Sequence, residues 1–107
     1  MWLLIDDQRN IGTEAIARTP EAGRKLLAIG GWECVCFDHD LGESETGKEY
    51  GTGWETGYDI LVWAIEKNLL PSKIQLVTSN PVGRKNMRSA LEHDGYTTLD
   101  GINFNKK

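Results

Sequence analysis

The sequence predicts one α/β domain, residues 1–107, with a parallel five-stranded sheet in the order 2-1-3-4-5 flanked by helices. Short apolar runs alternate along the chain with segments of helical periodicity, which is typical of a parallel α/β sheet. Three of these runs end at Ile5, Phe37 and Val77, and each passes directly into polar residues. Because ligands bind outside the carboxyl ends of the strands in such sheets, we expect the functional site there.

Composition limits the possible partners. The net charge of −4 disfavours sequence-independent binding to duplex DNA. No apolar run approaches the roughly 20 residues of a membrane helix. The N-terminal residues lack the basic segment of a signal peptide, so we expect a cytoplasmic protein without a membrane partner. The sequence predicts no particular oligomeric state.

The individual elements follow from apolar runs and capping residues. The predicted strands are 1–5, 15–18, 34–37, 74–77 and 96–99, with a frayed tail at 103–107. One helix begins at Thr19-Pro20 and ends at Gly30-Gly31, a second spans 58–70, and a third runs from Asn80-Pro81 to Gly95. Ile29 and Val82 are expected on the buried sides of the first and third helices. Cys34 and Cys36 share one strand face and are interpreted as two core thiols.

Residues 42–57 form a glycine-rich loop insertion with several charges and no apolar periodicity. The segment leaves directly from the polar end of the third strand. It is therefore either a lid over the site or a tolerated surface insertion.

Four carboxylates are expected to converge where the first and third strands lie side by side: Asp6, Asp7, Asp38 and Asp40. Clustered carboxylates repel one another unless a cation neutralises them, and Mg²⁺ prefers oxygen ligands. We therefore expect Asp6, Asp7 and Asp38 to hold Mg²⁺ or a similar divalent metal. In the alternative, Asp7 caps a loop, Asp40 faces solvent and only one carboxylate is functional.

Other polar residues near this edge suit phosphate chemistry. His39 either acts as a general acid or base or packs against a neighbouring loop. The segment from Asn80 to Asn86 combines a helix N-terminus, a glycine and two cations, which favours an anion. Arg84 is the stronger candidate for binding phosphate and Arg9 the second, whereas Asn80 serves either as a ligand or only as an N-cap. The expected substrate-binding residues are Arg9, Thr78, Asn80, Gly83, Arg84 and Asn86.

The order of these residues resembles that of the receiver domains of two-component response regulators. Receivers have an acidic pair after the first strand, an aspartate ending the third, and Thr or Ser ending the fourth. Asp6-Asp7, Asp38 and Thr78 match this pattern. Two features depart from it. Receivers carry a lysine after the fifth strand, whereas residues 97–101 offer none, and the first crossover helix is missing between Asp7 and Ala15.

A narrower resemblance covers nearly the whole chain. The sequence is similar to the receiver-derived family of cyclic-phosphate-processing receiver domains, which are small bacterial and phage proteins. The matching motifs are Asp6–Arg9, Arg18–Ala22, Phe37–Gly42, Thr56–Asp59 and Ser79–Met87. The family often has His-Ser where this chain has Val77-Thr78, and its loop before Thr56 is usually shorter.

The resemblance implies a phosphoesterase that processes a cyclic phosphate on an RNA end or a nucleotide derivative. Asp6, Asp7 and Asp38 would hold Mg²⁺, with His39, Asp38 and Arg84 as the catalytic residues. One alternative is a non-catalytic module that sequesters or senses a phosphorylated or cyclic nucleotide. A further alternative is a phosphoacceptor receiver labelled on Asp38.

Overall fold

A computed structural model describes residues 1–7, 9–38 and 56–106 of the chain. Within these residues, six strands form a single sheet in the order β2-β1-β3-β4-β6-β5. The strands are β1 Trp2–Ile5, β2 Ala15–Ala17, β3 Cys34–Phe37, β4 Lys73–Leu76, β5 Thr97–Thr98 and β6 Asn103–Asn105. The helices are α1 Pro20–Ile29, α2 Gly57–Glu66 and α3 Pro81–His93. The predicted receiver-like α/β class is confirmed.

The sheet is mixed, which corrects the predicted five-stranded parallel order. Strands β1 to β4 are mutually parallel where they pair, as predicted. The last two strands instead form an antiparallel hairpin, whose β6 pairs antiparallel with β4. The tail predicted to fray supplies β6, because Phe104 inserts into the core and is 1% exposed. Burial of this one aromatic ring outweighs the polarity of the asparagines on either side.

Local capping explains where the helices begin. Thr19 accepts a hydrogen bond from the backbone N–H of Ala22 at the start of α1, and Asn80 accepts one from Gly83 at the start of α3. Thr56 and Asp59 form a reciprocal capping box at the start of α2. The starts predicted at Thr19-Pro20 and Asn80-Pro81 are therefore confirmed.

Helix α2 ends at Glu66, four residues before the predicted end. Asn68 adopts a left-handed conformation with φ 57°, and this conformation terminates the helix. The backbone N–H of Leu69 then donates to the carbonyl of Ala64. The apolar periodicity continues to Leu69 although the helix does not, because Leu69 packs against the core from beyond the helix end.

The three helices pack on one face of the sheet. Their buried side chains share a core with alternate strand residues, among them Leu3, Val35 and Ile74. Ile29 and Val82 were predicted to be buried, but they are 75% and 69% exposed. Both lie at helix ends, Ile29 as the last residue of α1 and Val82 as the second residue of α3.

The opposite face of the sheet carries a smaller buried cluster of Leu4, Cys34 and Cys36. Both cysteines are free and buried, as predicted, and Cys36 Sγ donates to Gln75 Oε1 at 3.4 Å. No helix of the described residues is both long enough and apolar enough to span a bilayer.

Candidate functional site

The sheet brings three carboxylates together at its carboxyl edge. Ile5 of β1 lies opposite Phe37 of β3, so Asp6 and Asp38 leave the two strands side by side. The backbone N–H of Asp38 donates to the carbonyl of Ile5 at 2.9 Å, which holds the strands in register past their ends. One carboxylate oxygen from each of Asp6, Asp7 and Asp38 lies within 4.8 Å of the other two. Asp6 is fully buried and Asp38 is 5% exposed.

Arg9 bridges two of these carboxylates. Its Nη1 lies 2.9 Å from Asp6 Oδ2 and 3.4 Å from Asp38 Oδ1. Its backbone N–H donates to Asp6 Oδ1 at 3.1 Å, so the loop after β1 folds back over the strand end. The hydrogen bond to Asp6, supported by the charges of Asp38 and Asp6, raises the pKa of Arg9 above its ordinary value.

Arg18 holds this loop in place. Its Nη1 donates to the carbonyl of Arg9 at 2.6 Å and to the carbonyl of Asp6 at 3.3 Å. Sequence reasoning gave this residue no role in the site, although it belongs to one of the quoted motifs. The available signal was its position, because a residue that directly follows β2 lies at the same edge as those that follow β1 and β3.

A second group of residues lies beyond the end of β4. The backbone N–H of Val77 donates to the carbonyl of Phe37 at 2.9 Å, which places Thr78 beside the end of β3. The buried Thr78 Oγ1 accepts a hydrogen bond from the backbone N–H of Asn80 at 3.1 Å. Asn80 Oδ1 accepts from the backbone N–H of Gly83 at 3.0 Å, so Asn80 acts as the N-cap of α3.

The side chain of Arg84 also contacts the chain beyond the end of β4. Its Nη2 donates to the carbonyl of Thr78 at 2.5 Å. Its Nε is buried and has no hydrogen-bond partner among the described residues. A guanidinium carries five N–H donors, so Arg84 keeps donor capacity for an anion at this edge.

The remaining predicted residues lie elsewhere or are not described. Asn86 is exposed and lines a groove between α2 and α3. His39, Asp40 and residues 42–55 of the predicted loop lie outside the described residues. Val77 packs against the thiol-containing cluster on the face opposite the helices.

The family follows from a sequence comparison. The sequence model of the cyclic-phosphate processing receiver domain matches residues 1–93. The chain belongs to this family. The comparison with curated proteins found no match. The matched residues include the carboxylates and the three arginines of the edge, Arg9, Arg18 and Arg84, whereas the β5–β6 hairpin lies beyond them.

The carboxylates of this cyclic-phosphate processing receiver domain suit a hard divalent cation. Mg²⁺ takes oxygen ligands at about 2.0 to 2.1 Å in octahedral geometry, so its opposite ligands are about 4.2 Å apart. The three oxygens lie within 4.8 Å of one another, slightly wider than that limit. A bound Mg²⁺ would draw them inwards or keep water molecules between itself and some of them. The donor set therefore fits Mg²⁺.

Proposed function

We propose that this receiver domain is a metal-dependent phosphoesterase that opens a cyclic phosphate on an RNA end or a nucleotide derivative. The proposal depends above all on the buried carboxylates of Asp6 and Asp38, which meet Asp7 and Arg9 at the edge of the sheet. A buried acidic cluster is costly unless it is neutralised, and such clusters are common at catalytic sites. Family membership supports a cyclic phosphate as the substrate class.

Asp6, Asp7 and Asp38 would hold Mg²⁺, which when bound polarises a phosphoryl oxygen and stabilises developing negative charge. Arg84 would donate hydrogen bonds to the phosphate, because it lies at the strand end next to β3 and retains a buried N–H. Thr78, Asn80 and Gly83 shape this side of the site through their mutual hydrogen bonds. Arg9 would provide a second guanidinium.

In the proposed reaction, a water oxygen bonds to phosphorus and the bond from phosphorus to one ribose oxygen breaks. The attacking water loses one proton, and the leaving ribose oxygen gains one. His39, which follows Asp38 directly in the sequence, is the proposed proton carrier. The product is an acyclic phosphate monoester.

The test is to incubate 2′,3′-cyclic AMP and Mg²⁺ with the native protein and to separate the products by chromatography. We expect a monoester from the native protein and none from Asp38→Asn or His39→Ala. Asp94→Asn is the matched control, because Asp94 pairs with Lys106 and is not one of the three clustered carboxylates. Full turnover by both site variants would refute the proposal, provided that circular dichroism shows them folded.

A second function, binding without turnover, is favoured by one observation. Val77 stands where relatives often carry histidine, and it packs against the opposite sheet face. Among the described residues the other histidine, His93, is exposed in the last turn of α3. A module that sequesters or senses a cyclic nucleotide would change tryptophan fluorescence on binding. It would return the nucleotide unchanged after long incubation, whereas an enzyme would return the monoester.

A further inference from the structure

The side chain of Arg9 occupies the space that a cation would take between two strand ends. Its Nη1 contacts one oxygen of Asp6 at 2.9 Å and one oxygen of Asp38 at 3.4 Å. Asp6 follows β1 and Asp38 follows β3, so a single nitrogen joins the two strands. The cluster is thus partly neutralised by a residue of the chain itself.

Arg9 and a divalent metal would compete for the same oxygens. A guanidinium nitrogen contacts carboxylates at about 2.7 to 2.9 Å, whereas Mg²⁺ requires about 2.0 to 2.1 Å. A metal that binds Asp6 Oδ2 and Asp38 Oδ1 directly would lie closer to each oxygen than Arg9 Nη1 does. Its double charge would also repel the guanidinium at that distance. The two cations therefore exclude each other at this position.

The displaced guanidinium would remain near the site. The backbone N–H of Arg9 donates to Asp6 Oδ1, and its carbonyl accepts from Arg18. These bonds hold the backbone independently of the Nη1 contacts. The side chain is 36% exposed and can turn towards solvent, where a substrate phosphate would approach.

We propose that Arg9 is an exchangeable internal cation: a divalent metal displaces its guanidinium from Asp6 and Asp38, and the released guanidinium then binds the phosphate. The inference rests on the proposed metal site and adds an order of binding, metal first and anion second. Without metal, Arg9 is held by carboxylates and the edge repels phosphate. With metal, the edge carries two sources of positive charge.

The first test is calorimetric titration of Mg²⁺ into native protein, Arg9→Gln and Arg88→Gln. Arg88 is the matched control because it pairs with Glu92 on the exposed side of α3. Since a charge-assisted contact of a partly exposed side chain must be broken in the native protein, Arg9→Gln should bind Mg²⁺ about tenfold more tightly. Arg88→Gln should match the native protein. Unchanged or weaker Mg²⁺ binding by Arg9→Gln would overturn the inference.

The second test is titration of inorganic phosphate at saturating Mg²⁺. Here Arg9→Gln should bind about tenfold more weakly than native protein, because one guanidinium contact to phosphate is lost. Tighter Mg²⁺ binding together with weaker phosphate binding by Arg9→Gln indicates exchange. Simple misfolding would weaken the binding of both. Arg9→Lys keeps the charge but loses the second donor of the fork, so its Mg²⁺ affinity should fall between the other two.

The outcomes separate this inference from the proposed function. If native protein binds Mg²⁺ and Arg9→Gln binds it no better, exchange is refuted and the metal site stands. If neither binds Mg²⁺, both are refuted. If Arg9→Gln alone binds Mg²⁺, Arg9 excludes the metal outright, which refutes both exchange and a metal-dependent activity of the native chain.

Discussion

Replacing Asp38 by asparagine should raise the stability of the metal-free protein while weakening its metal binding. Asp38 is 5% exposed and Asp6 is fully buried, and one oxygen of each lies within 4.8 Å of the other. Asn has nearly the shape of Asp but carries no charge. The substitution therefore removes a like-charge repulsion from a site with little solvent to screen it.

The magnitude follows from the distances. At 4.8 Å or less, two unit charges repel by at least about 3.5 kcal/mol at an effective dielectric constant of about 20. Asp7 lies equally close and adds at least about another 3.5 kcal/mol of repulsion, whereas the attraction to Arg9 Nη1 at 3.4 Å, about 4.9 kcal/mol at the same dielectric constant, is lost. The weaker hydrogen bonding of a buried amide costs about another 1 kcal/mol. Asp38→Asn should therefore increase the free energy of unfolding by about 1 to 2 kcal/mol.

The assay is urea denaturation at pH 7 in EDTA, followed by tryptophan fluorescence, together with Mg²⁺ titration by calorimetry. Loss of one of three negative ligands should weaken Mg²⁺ binding by more than about tenfold. Asp94→Asn is the control: it loses the ion pair with Lys106 and should be slightly less stable, with unchanged Mg²⁺ binding. If Asp38→Asn is less stable than native protein and binds Mg²⁺ equally well, the three carboxylates neither repel one another as argued nor bind the metal.

Two further predictions concern the β5–β6 end of the molecule. Tyr96 donates its hydroxyl to the carbonyl of Pro71 at 2.6 Å, so Tyr96→Phe should lower the free energy of unfolding by about 1 kcal/mol in urea titrations. Burial raises the pKa of Tyr96 from 10.0 to about 12. The extra free energy of unfolding of the native protein over Tyr96→Phe should therefore be complete below pH 10 and lost as the pH rises towards 12. A constant difference across this range would contradict that cause. Asp100→Ala should lower the melting temperature at pH 7, because hydrogen bonds from Asn103 and Ile102 lower the pKa of Asp100 below its ordinary 3.8. The difference in melting temperature between native protein and Asp100→Ala should narrow as calorimetric scans are taken to pH values below 3.8. A difference that widens there would contradict the lowered pKa of Asp100.

The parts of the fold that depend on local chemistry were predictable from the sequence. Thr19 and Asn80 mark helix starts because each side chain accepts a hydrogen bond from a backbone N–H only three residues further along the chain. The parallel pairing of β1, β3 and β4 follows from apolar runs joined by helical segments. Asp6 and Asp38 could be placed together for the same reason, since the order of the strands alone makes their carboxyl ends neighbours.

Features that depend on tertiary contacts were not predictable in this way. The pairing of β6 with β4 rests on Phe104 reaching the core, and a single phenylalanine between two asparagines carries no such signal. The end of α2 is set by the left-handed conformation of Asn68, which the continuing apolar pattern conceals. The roles of Arg9 and Arg18 depend on how one short polar loop folds back.

The antiparallel end of the sheet bears on the choice between phosphoryl transfer to Asp38 and metal-assisted phosphoester chemistry. Receiver domains of response regulators, which the sequence resembles, carry a lysine after their fifth strand. Here Lys106 follows β6, which runs antiparallel to β4, and its backbone N–H donates to the carbonyl of Ser72 at the start of β4. Lys106 therefore lies at the end of the sheet remote from Asp38, where it pairs with Asp94.

Among the described residues, the cations at the acidic edge are the guanidinium groups of Arg9, Arg18 and Arg84. Arg9 forms ion pairs with the carboxylates, and Arg84 donates a hydrogen bond to the carbonyl of Thr78. A guanidinium binds two oxygens of a phosphate at once and stays charged at any physiological pH, so it suits a bound phosphoester whose charge must be held in a fixed orientation. This argues for a phosphoester ligand over transient phosphorylation of Asp38. We accordingly expect no label on Asp38 after incubation with acetyl phosphate and Mg²⁺, as read by intact-protein mass spectrometry. A stoichiometric mass increase of one phosphoryl group, absent in Asp38→Asn, would show instead that the edge retains receiver chemistry without the lysine.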